Sequence, residues 1–148
     1  MTDIDTQAAV ARLLAESEIR TLIGRIAHLS DDGDLDTEYA SLYTEDGSWG
    51  TVNGEVRYRG RAEIVAAAKE RRTNGAQGPG SGLLHMNASL WISVDSPTEA
   101  HAESYWMVVS TKGEQGTVVS GAGRYLDTFR RTPDGWKFAD RTVVLNVT

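Results

Sequence analysis

The spacing of apolar residues changes about one third of the way along the chain. In the first 30 residues apolar side chains recur at helical spacing, in two stripes that begin at Val10 and Ile19. The stripes are out of phase near residues 15–18, which predicts a short helix, a break and a longer helix. The polar segment Ser30–Asp34 ends this region, and a further short helix is predicted over residues 37–43.

From Ser48 onward the pattern is mainly that of strands. Asn53-Gly54 separates two strand-like segments, which is a strong signal for a β-hairpin. Helical spacing returns over residues 61–72 and is followed by a glycine-rich loop at 74–82. Four long strands are then predicted, over residues 83–94, 99–111, 117–131 and 136–147. Helices followed by a long antiparallel meander indicate an α+β fold.

The predicted strand over residues 83–94 alternates between two kinds of side chain. The face expected to pack on the core carries Leu84, Met86, Ala88, Leu90, Ile92 and Val94. The opposite face carries Leu83, His85, Asn87, Ser89, Trp91 and Ser93. Such a mixed face suits the wall of a cavity, and a curved sheet wrapped around helices would provide both surfaces.

Composition narrows the class of protein. The chain has 148 residues, 16.1 kDa and 40% hydrophobic residues, which predicts one globular domain over residues 1–148. It contains no cysteine, so disulfides, thiolate nucleophiles and zinc-thiolate or iron–sulfur sites are excluded. This composition fits a reducing cytoplasm, and a cytoplasmic location is expected.

Charge and hydropathy exclude two kinds of partner. The formal net charge is −6, and residues 1–46 carry 11 acidic against three basic side chains, a poor match to nucleic acid. No apolar run approaches the roughly 20 residues of a membrane span. The first ten residues also lack the basic and apolar segments of a secretion signal.

Two groups of side chains are candidates for chemistry. Four aspartates, Asp31, Asp32, Asp34 and Asp36, stand together at a predicted helix end, where a solvated acidic turn is the simpler interpretation. An aspartate there opposes the helix dipole, however, which hints at a functional carboxylate. His85 is either a structural, hydrogen-bonded histidine or a pocket residue able to act as acid or base. His28 is a fallback partner for the aspartates.

Other patterns are weaker. Glu99, His101 and Glu103 are metal-ligand residue types on one strand face, but a solvated face explains them better and no metal site is predicted. The four tryptophans are core residues by default, although a pocket for a flat apolar ligand would also use aromatic side chains.

The order and spacing of several strings resemble the polyketide-cyclase (SnoaL-like) branch of the nuclear transport factor 2-like (NTF2-like) superfamily, over residues 10–145. The strings are Ile19…Asp31-Asp32-Gly33-Asp34…Leu42-Tyr43-Thr44-Glu45-Asp46, Tyr58-Arg59-Gly60-Arg61, His85 opening a long strand, and Gly123-Arg124-Tyr125…Asp134-Gly135-Trp136-Lys137-Phe138…Arg141. The resemblance implies a cone-shaped α+β barrel, in which N-terminal helices pack on a strongly curved antiparallel sheet around a deep apolar pocket.

The resemblance also implies a pair of catalytic residues. Scytalone dehydratase and related enzymes use an aspartate at the end of the long helix and a histidine at the start of the strand after the third helix. Counting from Ile19 places these roles on Asp31 and His85, whereas counting back from Tyr43 favours Asp32. The imidazole would abstract a proton while the carboxylate fixes its tautomer. No metal or organic cofactor is implied.

The expected function is that of a cofactor-independent lyase or isomerase acting on a small apolar, cyclic molecule. The side chains expected to line its pocket are Trp49, Asn87, Trp91 and Tyr105. Two alternatives remain open: a non-catalytic β-type subunit of an aromatic-ring hydroxylating dioxygenase, and a small-ligand-binding domain. The family's exposed sheet further implies a homodimer or homotrimer.

Overall fold

A computed structural model describes residues 2–114 and 116–145. Two α-helices and a short π-helical segment are present: α1 (Asp3–Asp31), the π-helical segment (Leu35–Tyr39) and α2 (Arg61–Thr73). The strands are β1 (Tyr43–Thr51), β2 (Arg57–Arg59), β3 (Leu83–Val94), β4 (Glu99–Gly113), β5 (Gly116–Thr132) and β6 (Gly135–Leu145). The last residues of the predicted final strand, 146 and 147, lie outside the described residues.

The six strands form one curved sheet in the order β2-β1-β6-β5-β4-β3, which is not closed into a barrel. Four of the five strand pairs are antiparallel, as in a meander. The fifth pair, β1 with β6, is parallel, so the sheet is mixed. The parallel pair arises because the chain leaves β1 through the β2 hairpin and α2 before it returns to the sheet. The predicted α+β fold with helices packed on a curved sheet is confirmed.

The core lies between the helices and the inner face of the sheet. Helix α1 contributes Ile19, Ile23 and Ile26, each at most 2% exposed. The sheet supplies the rings of Phe129 and Phe138, whose centroids are 4.8 Å apart and whose planes are tilted by 43°. Burial of each such side chain stabilises the fold by about 1.5–3 kcal/mol. Helix α1 is therefore fixed against the sheet along its C-terminal half.

Helix α1 is continuous, so the predicted break near residues 15–18 is wrong. The apolar side chains of its first turns, including Val10 and Leu14, are exposed, and the buried stripe begins at Ala15. The change of phase therefore marks the point where the helix meets the core. Within the described ranges neither helix is long and apolar enough to cross a membrane.

Strand β3 contains a bulge that reverses the direction of its side chains. The pairing of β3 with β4 shifts between Ala88 and Trp91, and Ser89 has a left-handed φ of 48°. Before the bulge His85 and Asn87 point toward α1, and after it Leu90 and Ile92 pack on the core.

The strict alternation predicted for β3 is therefore wrong. Leu84 and Met86, expected in the core, are exposed on the outer face of the sheet. The single extra residue at the bulge shifts the two-residue period of a strand by one position.

Glycine is expected to fit the bulge better than serine. A left-handed conformation costs a residue with a Cβ atom roughly 1–2 kcal/mol, so Ser89→Gly should leave the free energy of unfolding unchanged or raise it by up to about 1 kcal/mol. Ser89→Val should lower it by more than about 1 kcal/mol, because β-branched residues avoid this region. Urea unfolding of both variants measures the difference. Equal stabilities would contradict the strain assigned to Ser89, which is exposed and loses no burial in either variant.

Candidate functional site

The C-terminal end of α1 is held by an arginine from α2. Arg72 donates from Nη1 to the carbonyl of Gly33 at 2.7 Å and from Nη2 to the carbonyl of Leu29 at 2.6 Å. The last carbonyls of a helix lack partners within the helix and carry its negative dipole end. The guanidinium satisfies them and offsets their charge, so Asp31 is tolerated in the last turn.

Asp31 and the first residues of β3 are joined by two hydrogen bonds. The His85 backbone N–H donates to Asp31 Oδ2 at 2.8 Å, and the ring Nδ1 lies 2.6 Å from Asp31 Oδ1. The side chains of Asp31 and His85 are only 17% and 20% exposed, respectively. Each carboxylate oxygen thus has its own partner, which fixes the rotamers of both side chains.

This geometry determines which ring nitrogen is available for chemistry. An ionised carboxylate only accepts hydrogen bonds, so His85 donates to it from Nδ1–H, and Nε2 makes no hydrogen bond with the described residues. His85 also lines the interior cavity. A neutral imidazole oriented in this way by a carboxylate is the arrangement of a general base.

The structure distinguishes Asp31 from its acidic neighbours. Asp32 is exposed, and its backbone N–H donates to the carbonyl of His28 at 2.8 Å. Asp34 caps the following π-helical segment by accepting hydrogen bonds from backbone N–H groups. His28 is exposed. Asp31 is therefore the aspartate brought to His85.

The cavity in front of His85 has a volume of about 180 Å³. Its lining consists of Ile26, Ser30, Tyr39, Trp49, Arg71, Ala76, Gln77, His85, Trp106, Val108, Tyr125, Arg141, Val143 and Leu145. Half of these residues are aliphatic or tryptophan, and the other half carry a hydroxyl, amide, imidazole or guanidinium group. A larger groove of about 330 Å³ lies beside the first half of α1, but its lining contains no histidine or tyrosine.

Of the four side chains expected to line the pocket, Trp49 does so. Asn87 points inward but donates from Nδ2 to the carbonyl of Ile23 at 2.9 Å and is not part of the cavity wall. Trp91 and Tyr105 are 56% and 50% exposed on the outer face of the sheet. Their assignment to the pocket is corrected, because the bulge at Ser89 turns Trp91 outward and Tyr105 pairs with the outward-facing Ala88.

The sequence analysis did not predict a buried ion pair between Arg141, which lines the cavity, and Asp127. Arg141 donates from Nε and Nη2 to the two carboxylate oxygens of Asp127, at 2.8 and 2.7 Å. The side chains of Arg141 and Asp127 are 4% and 0% exposed. Burial alone would lower the pKa of Arg141, but the adjacent Asp127 carboxylate outweighs it and raises that pKa. A signal existed in β5, where Asp127 stands two residues before the core residue Phe129.

Two further features complete the wall. Arg141 lies over the Tyr125 ring at 3.9 Å. Burial raises the pKa of the Tyr125 hydroxyl, so this group remains a neutral hydrogen-bond donor at physiological pH. This part of the cavity wall therefore combines the Tyr125 side chain with the Arg141 guanidinium.

The residues of metal-ligand type on β4 lie away from the cavity. His101 Nδ1 is 2.7 Å from Asp95 Oδ2, and its ring packs edge-on against Trp91 on the outer face. Across residues 2–114 and 116–145, no three histidine or acidic side chains converge in a group that could hold a metal ion.

Comparison with known proteins agrees with this architecture. The model of the SnoaL-like domain family matches residues 11–142. An NTF2-like protein with a cystatin-like fold from Novosphingobium aromaticivorans is 30% identical, with a TM-score of 0.81 over 99% of this chain and 92% of that one. A proposed scytalone dehydratase from the same organism is 20% identical, with a TM-score of 0.70 over 91% and 86% of the two chains, and shows the fold alone.

A curated relative is also similar over a shorter stretch. The small subunit of anthranilate 1,2-dioxygenase from Burkholderia cepacia is 37% identical over 60 residues. This match spans 40% of the present chain and 37% of that subunit's length. Because the family model covers nearly the whole chain, and the helices and curved sheet match solved NTF2-like structures, the chain belongs to the SnoaL-like domain family of the NTF2-like superfamily.

Proposed function

We propose that this protein is a cofactor-independent lyase or isomerase that removes a proton from carbon in a small cyclic substrate. The observation that carries the proposal is the Asp31–His85 pair, in which Asp31 engages Nδ1 of a histidine that lines the cavity and Nε2 makes no hydrogen bond with the described residues. In an elimination, Nε2 takes the proton, the C–H electrons form a double bond, and hydroxide (protonated to water) or halide leaves. In an isomerisation, the proton returns to a different carbon.

Arg141 is proposed to stabilise negative charge that develops on the substrate. Two of its nitrogens bind Asp127, and Nη1 has no hydrogen-bond partner among the described residues. Since Arg141 lines the cavity, Nη1 is suited to donate to an enolate oxygen or a leaving group. The buried carboxylate behind it keeps the guanidinium in place.

Proton exchange in D₂O on simple ring ketones tests this function. We expect the protein to accelerate deuterium incorporation next to the carbonyl of 3-hydroxycyclohexanone and its loss of water to 2-cyclohexenone, both followed by proton NMR. Ring ketones that carry a halide in place of the hydroxyl extend the panel. If no compound in the panel reacts faster with the wild type than with His85→Gln, the proposal is wrong.

The similarity to the anthranilate 1,2-dioxygenase small subunit supports a second candidate, a non-catalytic β-type subunit. That function requires a larger iron-containing partner and makes no use of an open cavity. Retention of an iron-containing partner on the tagged protein, together with unchanged behaviour of His85→Gln, would favour it. A ligand-binding domain would instead bind ring compounds without exchanging their protons.

We further propose that the protein is a cytoplasmic homo-oligomer that buries the outer face of its sheet. This face carries exposed apolar side chains on adjacent strands, among them Met86, Tyr105 and Val119. Light scattering at micromolar concentration should give a dimer or trimer, and Met86→Lys should shift it toward monomer. A wild-type monomer would contradict this proposal.

A further inference from the structure

One cationic side chain of the cavity is left unpaired by the contacts described so far. Arg71 lies on α2, with its guanidinium carbon 5.1 Å from the centroid of the Trp49 ring. Its Nε donates to Gln77 Oε1 at 3.0 Å. Gln77 is itself buried and donates from Nε2 to the carbonyl of Ala68. An aromatic face and a fixed amide therefore hold the guanidinium in one orientation.

The remaining donors of Arg71 have no partner in the part of the chain that the structure describes. Among residues 2–114 and 116–145, Arg71 forms no ion pair, and Nη1 and Nη2 make no hydrogen bond. This contrasts with Arg72, whose terminal nitrogens bind the carbonyls at the end of α1. With Nε already occupied, the Nη1–Nη2 edge of Arg71 is the edge left to bind a ligand.

The charge balance of the cavity points to the chemistry of that ligand. Its described lining contains Arg71 and Arg141 but no aspartate or glutamate, in a chain whose net charge is −6. Asp127 balances the charge of Arg141 from behind the wall, and Asp31 is held by His85. The charge of Arg71 has no such counterpart among the residues that the structure describes. Two parallel donors on a planar fork match a carboxylate.

The cavity volume limits the size of the ligand. A cavity of about 150 Å³ is large enough to hold benzene. At about 180 Å³, the space in front of His85 therefore suits one ring with a small substituent. Trp49 and Trp106 contribute aromatic side chains to the lining around such a ring.

From these observations we infer that the substrate is a single-ring carboxylate whose carboxylate binds the free edge of Arg71. This rests on the proposed function, since it places the ring of that same substrate between Arg71 and the base His85. The carboxylate remains unchanged during the reaction. Its role is to position the ring and to select acids over neutral analogues.

Two matched probes test the inference. 3-Oxocyclohexanecarboxylate carries the ring ketone and the anion, and 3-oxocyclohexanecarboxamide replaces the anion by a neutral group of similar shape. We expect the wild type to bind the carboxylate about 10- to 100-fold more tightly than the carboxamide, as charged hydrogen bonds allow. Titration followed by NMR gives both affinities, and deuterium exchange next to the ketone gives the rates.

The variants separate recognition from folding and from catalysis. Arg71→Gln should abolish the preference for the carboxylate, Arg71→Lys should retain part of it, and Arg20→Gln, at an exposed position of α1, should leave it unchanged. Thermal unfolding of each variant shows whether the fold is intact. If Arg71→Gln is unfolded, the partial preference of Arg71→Lys decides the matter.

The outcomes distinguish this inference from the proposed function. Equal binding of both probes to the wild type, or an unchanged preference in Arg71→Gln and Arg71→Lys, overturns the Arg71 subsite even if the ketone exchanges its protons. Arg71-dependent binding of the carboxylate without exchange on any ring ketone supports the subsite and contradicts the lyase or isomerase function.

Discussion

His85→Gln and Asp31→Asn should each reduce proton exchange on the ring-ketone probes by about 10²- to 10⁴-fold, the usual contribution of general acid–base catalysis. Glutamine removes the base itself. Asparagine keeps the size of the aspartate side chain but no longer requires the proton to reside on Nδ1. Nitrogen NMR of the imidazole should show Nδ1–H in the wild type and a mixture of tautomers in Asp31→Asn.

The chain supplies close controls for this pair. Asp32→Asn changes an exposed neighbouring carboxylate, and His101→Gln disrupts a second His–Asp contact that lies outside the cavity. Both should retain rates within about twofold of the wild type, because surface substitutions rarely disturb a distant site. If Asp32→Asn were as slow as Asp31→Asn, the role assigned to Asp31 would be wrong.

Asp127→Asn should lower the free energy of unfolding by about 3–5 kcal/mol, a large part of the 5–15 kcal/mol typical of a small protein. The substitution leaves the guanidinium of Arg141 charged, 4% exposed and without its anion. By contrast, Arg25→Gln breaks an exposed pair with Glu38 and should cost less than about 1 kcal/mol. Urea unfolding measures both values.

A double variant separates the effect of lost charge from that of lost packing. Replacing Asp127 and Arg141 together by methionine removes both charges and keeps the space filled, so it should be more stable than Asp127→Asn. The same double variant should lose proton exchange, because no guanidinium remains at that wall of the cavity. Stability of Asp127→Asn within about 1 kcal/mol of the wild type would contradict the energetic importance of the pair.

Much of the fold could be predicted from local patterns, because strands and helices have distinct periods. The span of β3 from Leu83 to Val94 is found as predicted. A hairpin around Asn53-Gly54 is present, but its strands end at Thr51 and resume at Arg57 instead of flanking that pair directly. The parallel pairing of β1 with β6 was not predictable from periodicity. It depends on where the chain returns after α2, a tertiary property that no short segment encodes.

The candidate site could be predicted from the sequence only in part. Asp31 and His85 are 54 residues apart, and the resemblance to a family suggested the pair where spacing gave no signal. Arg71 and Arg72 are neighbouring arginines that the sequence does not distinguish. Arg71 faces the cavity, whereas Arg72 binds the end of α1. Trp91 was misplaced because a serine carries no strong sequence signal for a left-handed residue, whereas a glycine would have suggested a bulge.

The bulge at Ser89 also has a consequence for comparing this chain with its relatives. Before Ser89 the odd-numbered residues of β3 face the inside of the sheet, and after it the even-numbered residues do so. A relative without the extra residue needs a one-residue gap at this position to be aligned correctly. Without that gap, the counterparts of His85 or of Ile92 would be compared with residues that face the opposite side of the sheet.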